Sequence, residues 1–280
     1  MPERIPVSPI PVSAIRSPRK SRCCKKMAKA QFRPCIDLHD GKVKQIVGGT
    51  LSDSGSAPRT NFVATHTPDY FADMYRRDGL TGGHVIKLGP GNDEAALCAL
   101  HAWRGGLQVG GGITPDNAVY FLEQGAAAVI VTSCVFADGK LNEKNLELLI
   151  QRCGKEKLVL DLSCRKRGDD YFVVTDRWQK FTDFVVGEEA LRQLGNCCCE
   201  FLIHAVDVEG KCGGIDCELL DILSGNSPVD CVYAGGIRNF DDIRLIEEKG
   251  RGKVHYTIGS ALDIFGGSLS YEQVVAHLKE

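Results

Sequence analysis

The sequence lacks a membrane-spanning run and a marked excess of either charge. No stretch approaches the roughly 18 consecutive apolar residues of a transmembrane helix. The formal net charge is -2 at pH 7, so we expect neither nucleic acid nor an acidic membrane surface as the main partner. With 280 residues, 43% hydrophobic and 25% charged, the composition is that of a globular protein with a large core.

Zinc-type cysteine spacing is also missing, although cysteine is plentiful. The 13 cysteines include no paired C-x-x-C arrangement, and Cys197–Cys199 are adjacent rather than spaced for chelation. The total is odd, and Cys35, Cys134 and Cys231 lie in apolar runs. We therefore expect mostly buried, reduced thiols in a reducing compartment and no metal site.

Two common catalytic and binding signatures are absent too. No Ser-His-Asp or Cys-His arrangement is recognisable. No G-x-G-x-x-G follows the first predicted strand, where a dinucleotide-binding sheet would have it. His39 and His204, near strand ends, could act as acid or base, but without further metal-type ligands we expect solvated or packing histidines. Lys87 is a weaker candidate for a Schiff base.

Residues 1–30 differ in composition from the rest. Eight basic residues between Arg4 and Lys29 face one acid, Glu3, with five prolines and four serines interleaved. Such a leader is typical of an organelle transit peptide, and we expect it to be disordered and outside the fold. The alternatives are a disordered basic tail and translation starting at Met27. A transit peptide would place the protein in the chloroplast stroma; otherwise it would be cytoplasmic.

From residue 31 to 280, strand-like and helix-like segments alternate eight times. The strands are apolar on both faces, which is typical of a parallel sheet covered by helices. The predicted strands are Phe32–Leu38, His84–Leu88, Leu107–Val109, Ala128–Ser133, Lys157–Leu162, Phe201–Val206, Cys231–Tyr233 and Val254–Ile258. The predicted helices lie near 68–78, 93–103, 116–124, 143–153, 188–195, 217–223, 240–249 and 271–279.

Short motifs recur at nearly one spacing. The pairs are Gly111 with Gly235, Asp37 with Asp161, and Ser133 with Ser260, at offsets of 124, 124 and 127 residues. Such matches indicate a duplicated half. The α/β alternation and the duplication together predict a single (β/α)8 TIM barrel of two half-barrels, rather than an open doubly wound sheet.

Two connections, 39–66 and 163–187, are too long for simple turns. Both follow the C-terminal ends of strands, where barrel enzymes keep their chemistry. Gly48-Gly49 and Gly168 offer mobile points, so we expect lids that close over a ligand. Trp178, one of two tryptophans, serves either loop packing or a lid that stacks on a flat heterocycle.

Asp37 and Asp161 end strands 1 and 5, on opposite sides of the predicted barrel. Two carboxylates facing each other across a cavity suit a general base and a general acid on a small substrate. The alternative is that each aspartate caps the loop that follows it. Because the pair lies beside two glycine-rich turns, we expect catalysis.

The glycine-rich turns form two predicted phosphate grips. Glycine lets backbone N–H groups approach an anion closely, and a helix opening at Pro115 would add its dipole. The grips are Gly111, Gly112, Thr132 and Ser133 after strands 3 and 4, and Gly235, Gly236, Gly259 and Ser260 after strands 7 and 8. The second is the usual phosphate site of such barrels, with Ala261–Phe265 placed to form its short extra helix. Two grips predict a long substrate with a phosphate at each end and its middle between the aspartates.

These motifs resemble the isomerase family of histidine biosynthesis that acts on phosphoribosylformimino-5-aminoimidazole carboxamide ribotide, in its eukaryotic, plant-like form. The resemblance covers residue 32 to the C-terminus. It is carried by Phe32–Leu38, Val43–Gly49, Gly82–Gly89, Asp161–Lys166, Asp207–Gly210 and Ser260–Gly267.

The resemblance implies an Amadori rearrangement of an aminoaldose to an aminoketose, without metal or organic cofactor, by a protein we expect to be a monomer. It makes Asp37 the base at ribose C2, Asp161 the acid at the furanose oxygen, and Trp178 the stacking lid residue. Bacterial members often place a helper threonine near the end of strand 6, where we align Ala205. Arginines of bacterial members are replaced by Gln45 and Thr114, and Arg165 is a possible substitute at the strand 3–4 phosphate.

Three alternatives remain open at this point. The sister cyclase is a lyase that also has paired aspartates and two phosphate grips but receives ammonia from a glutaminase. Phosphoribosylanthranilate isomerase performs the same reaction on a substrate with one phosphate. A non-catalytic barrel could sense a phosphorylated metabolite.

Overall fold

The computed structural model describes residues 29–46, 60–176 and 178–280. Residues 1–28, which make up nearly all of the predicted leader, and the predicted mobile point Gly48-Gly49 lie outside these ranges. In the described part of the chain, no helix is both long and apolar enough to cross a membrane.

Within the described residues, eight parallel strands form the centre of the fold, each paired with the next in chain order. A parallel bridge between Phe32 and Tyr256 joins the segment before the first strand to the last. There the Arg33 N–H donates to the Tyr256 carbonyl at 2.8 Å. The predicted barrel is thereby confirmed. Its strands are β1 Cys35–His39, β2 Gly83–Lys87, β3 Leu107–Gly110, β4 Val129–Val131, β5 Leu158–Asp161, β6 Glu200–His204, β7 Asp230–Ala234 and β8 Val254–Tyr256.

One helix follows each strand. The helices are α1 Pro68–Arg77, α2 Asp93–Ala102, α3 Ala118–Glu123, α4 Glu143–Cys153, α5 Glu188–Gly195, α6 Cys217–Asn226, α7 Phe240–Lys249 and α8 Tyr271–Leu278. Local chemistry sets several starts, because a cap side chain accepts from a free N–H of the first turn. Such caps are Asn142, Asp216, Asn239 and Ser270.

Strand alternation separates two apolar layers. One face packs against the helices in the main core. The other face points into the barrel, where Ile130, Val159, Leu202 and Val232 form a separate cluster. The register pairs Leu202 with Asp161, so the Asp161 side chain also points into the barrel. Along β6, the next inward-pointing side chain after Leu202 is His204, two residues later. Asp161 and His204 therefore stand together at the C-terminal rim of the barrel.

The two long connections contain strands that the sequence analysis did not predict. After β1, Lys42–Ile46 folds back on β1 and pairs with Thr60–Val63. After β5, Cys164–Arg167, Asp170–Thr175 and Lys180–Val185 form a three-stranded antiparallel sheet. Gly168 lies in its first turn with φ +66°, a conformation that glycine adopts without strain.

The cysteines agree only in part with expectation. All eleven in the described residues are free thiols, of which four are buried, five half-buried and two exposed. Burial is therefore less general than predicted. Cys35 and Cys231 are buried, whereas Cys134 is half-buried.

A polar cluster fills the end of the barrel opposite the rim. The Gln108 amide donates to Glu200 Oε1 at 2.7 Å, and the Arg33 guanidinium lies 3.5 Å from Glu200 Oε2. Gln108 and Glu200 are buried. Among residues 29–46, 60–176 and 178–280, Glu200 is the one carboxylate paired with Arg33, so this cluster depends on it.

We expect Glu200→Ala to lower the free energy of unfolding by about 3–5 kcal/mol, because it leaves Arg33 with an unpaired charge. The matched control is Asp116→Ala, because Asp116 and Arg152 form an exposed ion pair at 2.9 Å. This substitution should lower the free energy of unfolding by less than about 1 kcal/mol. Urea unfolding measures both. Equal losses would contradict the structural role of the cluster.

Candidate active site

One cavity of about 530 Å³ opens at the C-terminal ends of the strands. A small recess of about 20 Å³ lies beside it, and Glu209 lines both spaces. Of the predicted site residues, the cavity is lined by Asp37, Gly111, Gly112, Thr132, Ser133, Asp161 and Trp178. The recess is lined by Gly235, Gly236, Gly259 and Ser260.

Asp37, on β1, is held by the strand that folds back after β1. The Gln45 side chain is buried and donates from Nε2 to Asp37 Oδ2 at 3.0 Å. Burial raises the pKa of Asp37 to about 6, against the smaller opposing effects of His204 and Gln45. A carboxylate whose pKa lies close to neutral pH suits a general base. Gln45 therefore positions this group, a role that the sequence analysis did not assign to it.

Asp161, at the end of β5, lies in a cluster with Ser163 and His204. The Ser163 hydroxyl donates to Asp161 Oδ1 at 2.8 Å, and His204 Nδ1 lies 3.3 Å from the same oxygen. Burial opposes ionisation of Asp161, but the His204 charge and these hydrogen bonds outweigh it and lower its pKa. Asp161 is therefore an ionised carboxylate paired with a histidine.

His204 lines the cavity, contrary to the expectation that it is solvated or merely packed. Burial would lower its pKa, but Asp161, Glu209 and Asp37 together raise it to about 9. The alternation of Leu202 and His204 along β6 was the available signal, since it directs both side chains inward. Ala205, where we aligned the helper threonine, is buried and does not line the cavity, so His204 is the β6 side chain beside Asp161.

Glu209, in the turn after β6, is a half-buried residue with a buried Oε2, and the sequence analysis did not single it out. Its Oε2 has no hydrogen-bond partner. Burial raises its pKa, with the charge of His204 opposing and that of Asp37 adding. Burial thus favours the neutral carboxyl more than water does, and Glu209 lies where a ligand in either space can contact it.

The glycines of the first grip have left-handed backbone conformations, but the predicted helix does not begin at Pro115. Gly111 and Gly112 have φ of +85° and +69°. A Cβ on Gly111 would lie 2.1 Å from the Lys87 carbonyl oxygen, whereas one on Gly112 would meet nothing within 4 Å. Helix α3 begins at Ala118 and has only 6 residues, so the predicted dipole contribution at Pro115 is not supported. Backbone N–H groups and the Thr132 and Ser133 hydroxyls remain as donors.

The second grip is equally tight. A Cβ on Gly236 would lie 2.1 Å from the Gly214 carbonyl oxygen, and one on Gly259 would lie 2.3 Å from Gln45 Oε1. Asn61 donates to the Ser260 hydroxyl at 3.2 Å. The predicted short helix is present as a 3-10 turn, Asp263–Phe265. Among the described residues no lysine or arginine lines the recess, so its donors are backbone N–H and hydroxyl groups.

Trp178 lies over the cavity with its ring centroid 5.6 Å from that of His204. Its φ is +67°, a left-handed conformation that is costly for a bulky side chain. An aromatic ring in this position can cover a flat group in the cavity. The geometry thus fits the predicted lid role, which stays a prediction.

Other candidates lie elsewhere. Arg165 pairs with Asp207 at 2.9 Å and lines neither space, so the structure gives no support for its role at the first phosphate. His39 contacts Asp40 outside the cavity. Lys87 does line the cavity, but its ammonium pairs with Asp93 at 2.7 Å.

Cys35, Asp37 and His84 bring one potential metal-ligand atom each within 4.8 Å of one another, the one such group in the described ranges. Burial raises the pKa of the Cys35 thiol and lowers that of His84 to about 3. The Gln45 amide also approaches Cys35 Sγ, at 3.7 Å. The trio therefore consists of a neutral thiol and a neutral imidazole beside Asp37. The Gln45 amide already makes hydrogen bonds to two of its members, Cys35 and Asp37.

Comparison with known proteins identifies relatives over nearly the whole barrel. A family profile described as "Histidine biosynthesis protein" matches residues 31–269. A Medicago truncatula protein is 52% identical over 266 residues, covering 93% of this chain and 85% of its own. Proteins of Neurospora crassa and Saccharomyces cerevisiae are 54% and 48% identical, each over 85% of this chain and 93% and 94% of their own. All three are named 1-(5-phosphoribosyl)-5-(5-phosphoribosylamino)methylideneamino imidazole-4-carboxamide isomerase, the Medicago protein as chloroplastic.

We expect Gly111→Ala to destabilise the protein more than Gly112→Ala. Both alanines would have a left-handed conformation, costing about 1–2 kcal/mol, but only the first also collides with the end of β2. Thermal unfolding of the two variants measures the difference. Equal losses would contradict the close approach of Gly111 to Lys87.

Proposed function

The chain belongs to the histidine biosynthesis protein family, and from that premise we propose that it is the isomerase of this pathway. It would convert phosphoribosylformimino-5-aminoimidazole carboxamide ribotide to its phosphoribulosyl isomer by an Amadori rearrangement. The observation that carries this proposal is that Asp37 and Asp161, from opposite strands, line one cavity between two glycine-lined sites. The relatives' names support it, since they denote an isomerase acting on a compound with two phosphoribosyl groups.

One substrate phosphate would bind at each grip. Thr132 and Ser133 supply hydroxyls beside Gly111 and Gly112, and Ser260 does so beside the recess glycines. A ligand anchored at both ends has its reacting sugar held in the middle, so little orientational freedom is lost at the transition state. Trp178 would cover the imidazole carboxamide.

The chemistry divides between the two sides of the cavity. On the β5 side, the cluster containing Asp161 protonates the furanose oxygen while the C1–O bond breaks and the nitrogen lone pair forms C1=N. On the β1 side, Asp37 removes the C2 proton, and the C–H electron pair forms C1=C2 as the C1=N electrons return to nitrogen. Loss of the hydroxyl proton at C2 and protonation of C1 give the aminoketose.

Two other enzyme functions are separated by direct assay. Formation of the isomerised ribotide by the purified chain, without ammonia or a partner, supports the proposal. Cyclised product formed only when ammonia is added would make the chain the sister cyclase. Turnover of anthranilate ribotide would instead favour phosphoribosylanthranilate isomerase, although that substrate would leave one grip empty.

We further propose that residues 1–30 are a leader to the plastid and that 31–280 is the catalytic domain. The basic, acid-poor composition of the leader and the chloroplastic name of the Medicago relative support this. The fungal names carry no such label.

We expect Asp37→Asn to lower kcat by about 100-fold or more, since it removes a general base without changing side-chain volume. Because Asp37 works ionised and its pKa is about 6, the wild-type kcat/KM should fall as the pH drops through about 6. Steady-state assays across pH measure both effects.

The matched control is Asp40→Asn on the same connection, whose carboxylate is exposed and contacts Lys44. Asparagine tolerates the left-handed conformation of this position, so turnover should stay near wild type. An Asp37→Asn chain as active as this control would refute the assigned base and leave the sensor alternative.

A further inference from the structure

The hydrogen bonds around His204 determine where its protons are. The Ser163 hydroxyl has one proton and gives it to Asp161 Oδ1 at 2.8 Å. His204 Nδ1 is 3.3 Å from that carboxylate oxygen and 3.3 Å from Ser163 Oγ. Both neighbours accept, so Nδ1 carries a proton, and the hydrogen bond at Nδ1 leaves Nε2 as the nitrogen available to a ligand.

We propose that His204 is the catalytic acid of this chain and delivers its Nε2 proton to the furanose oxygen, with Asp161 as the positioning carboxylate. This inference rests on the proposed function and deepens it. It moves the proton donor from the carboxylate indicated by family resemblance to the histidine beside it. The arrangement follows the general logic of a buried carboxylate that orients an imidazole through Nδ1–H.

The charges in the cavity favour this assignment. Asp161 is the wrong group to donate, because its lowered pKa leaves it without a proton near neutral pH. The titratable groups that face His204 are Asp161 from β5, Asp37 from β1, Glu209 after β6 and neutral His84 from β2. Three acids around one imidazole stabilise the imidazolium, whose pKa of about 9 keeps it protonated under working conditions.

The proton balance closes over one turnover. Nε2–H passes its proton to the ring oxygen as the C1–O electron pair moves onto that oxygen, leaving neutral imidazole. Later, the C2 hydroxyl loses its proton as the ketone forms, and that proton restores the imidazolium. Asp37 takes the C2 proton and returns a proton to C1 as the ketone forms, so both groups end the turnover as they began it and no external oxidant or co-reactant is needed.

The test compares pH profiles of kcat/KM, from about pH 5 to 10, for wild type, His204→Gln, Asp161→Asn and His101→Gln. The last makes the same change at an exposed histidine, whose ring contacts Gln124. Thermal unfolding checks that each variant is folded. In parallel, NMR titration of the histidine rings, assigned by comparison with His204→Gln, follows His204 in wild type and Asp161→Asn without substrate.

We expect wild type to lose activity as the pH rises through about 9, because His204 is deprotonated there. Asp161→Asn should keep measurable turnover. Its high-pH loss of activity, and the NMR titration of His204, should both move at least one pH unit lower. His204→Gln should lose about 100-fold or more in kcat/KM and show no further loss of activity near pH 9, whereas His101→Gln should match wild type.

Two results would overturn the assignment of His204 in an active wild-type enzyme. One is a folded His204→Gln chain that keeps turnover within a few-fold, which would turn attention to Glu209. The other is an unchanged His204 titration in Asp161→Asn. A wild-type chain that does not turn over the ribotide would contradict the proposed function instead. The NMR titration would then still test whether Asp161 keeps His204 protonated.

Discussion

Closure of the barrel is the constraint on which the rest of the structure depends. The bridge between Phe32 and Tyr256 joins the chain before β1 to β8, so the eight strands form a ring and β1 stands opposite β5. Only in such a ring do Asp37 and Asp161, 124 residues apart, line one cavity. The cluster of Arg33 with the buried Gln108 and Glu200 fills the opposite end of the ring, away from the proposed reacting groups.

The closed ring also sets the electrostatics of the cavity. Charges that are removed from water must be paired or neutralised. Asp161 and His204 pair with each other, whereas Asp37 and Glu209 respond to burial with raised pKa values. In the proposed mechanism, this cavity holds Asp37, whose pKa of about 6 suits a base, and the His204 imidazolium, which serves as the acid. In that mechanism, delivery of a proton to the ring oxygen and removal of a proton from C2 require two groups with separated pKa values.

Much of the fold and of the candidate site was predictable from the sequence. Apolar strands alternating with helices, together with the duplicated motifs, predicted the barrel, and eleven of the twelve predicted site residues line its two spaces. The strands within 39–66 and 163–187 were missed, because glycines and polar residues there resemble loops. The contacts of Gln45, His204 and Glu209 in the cavity were not predicted, and His204 was expected to be solvated or packed, because these contacts involve neighbours distant in sequence. Arg165 was misleading, since the sequence does not reveal that Asp207 occupies its guanidinium.

The central claim is that a ligand held at both anionic ends places its sugar between Asp37 and the Asp161–His204 pair. A crystal structure of the full chain with the bisphosphorylated aminoketose product tests this most directly. The account predicts one phosphate at Gly111 and Gly112, the other at Gly235 and Gly259, and the sugar within hydrogen-bonding reach of both acid–base groups. A product with only one phosphate bound by the protein, or with its sugar away from Asp37 and His204, would contradict it.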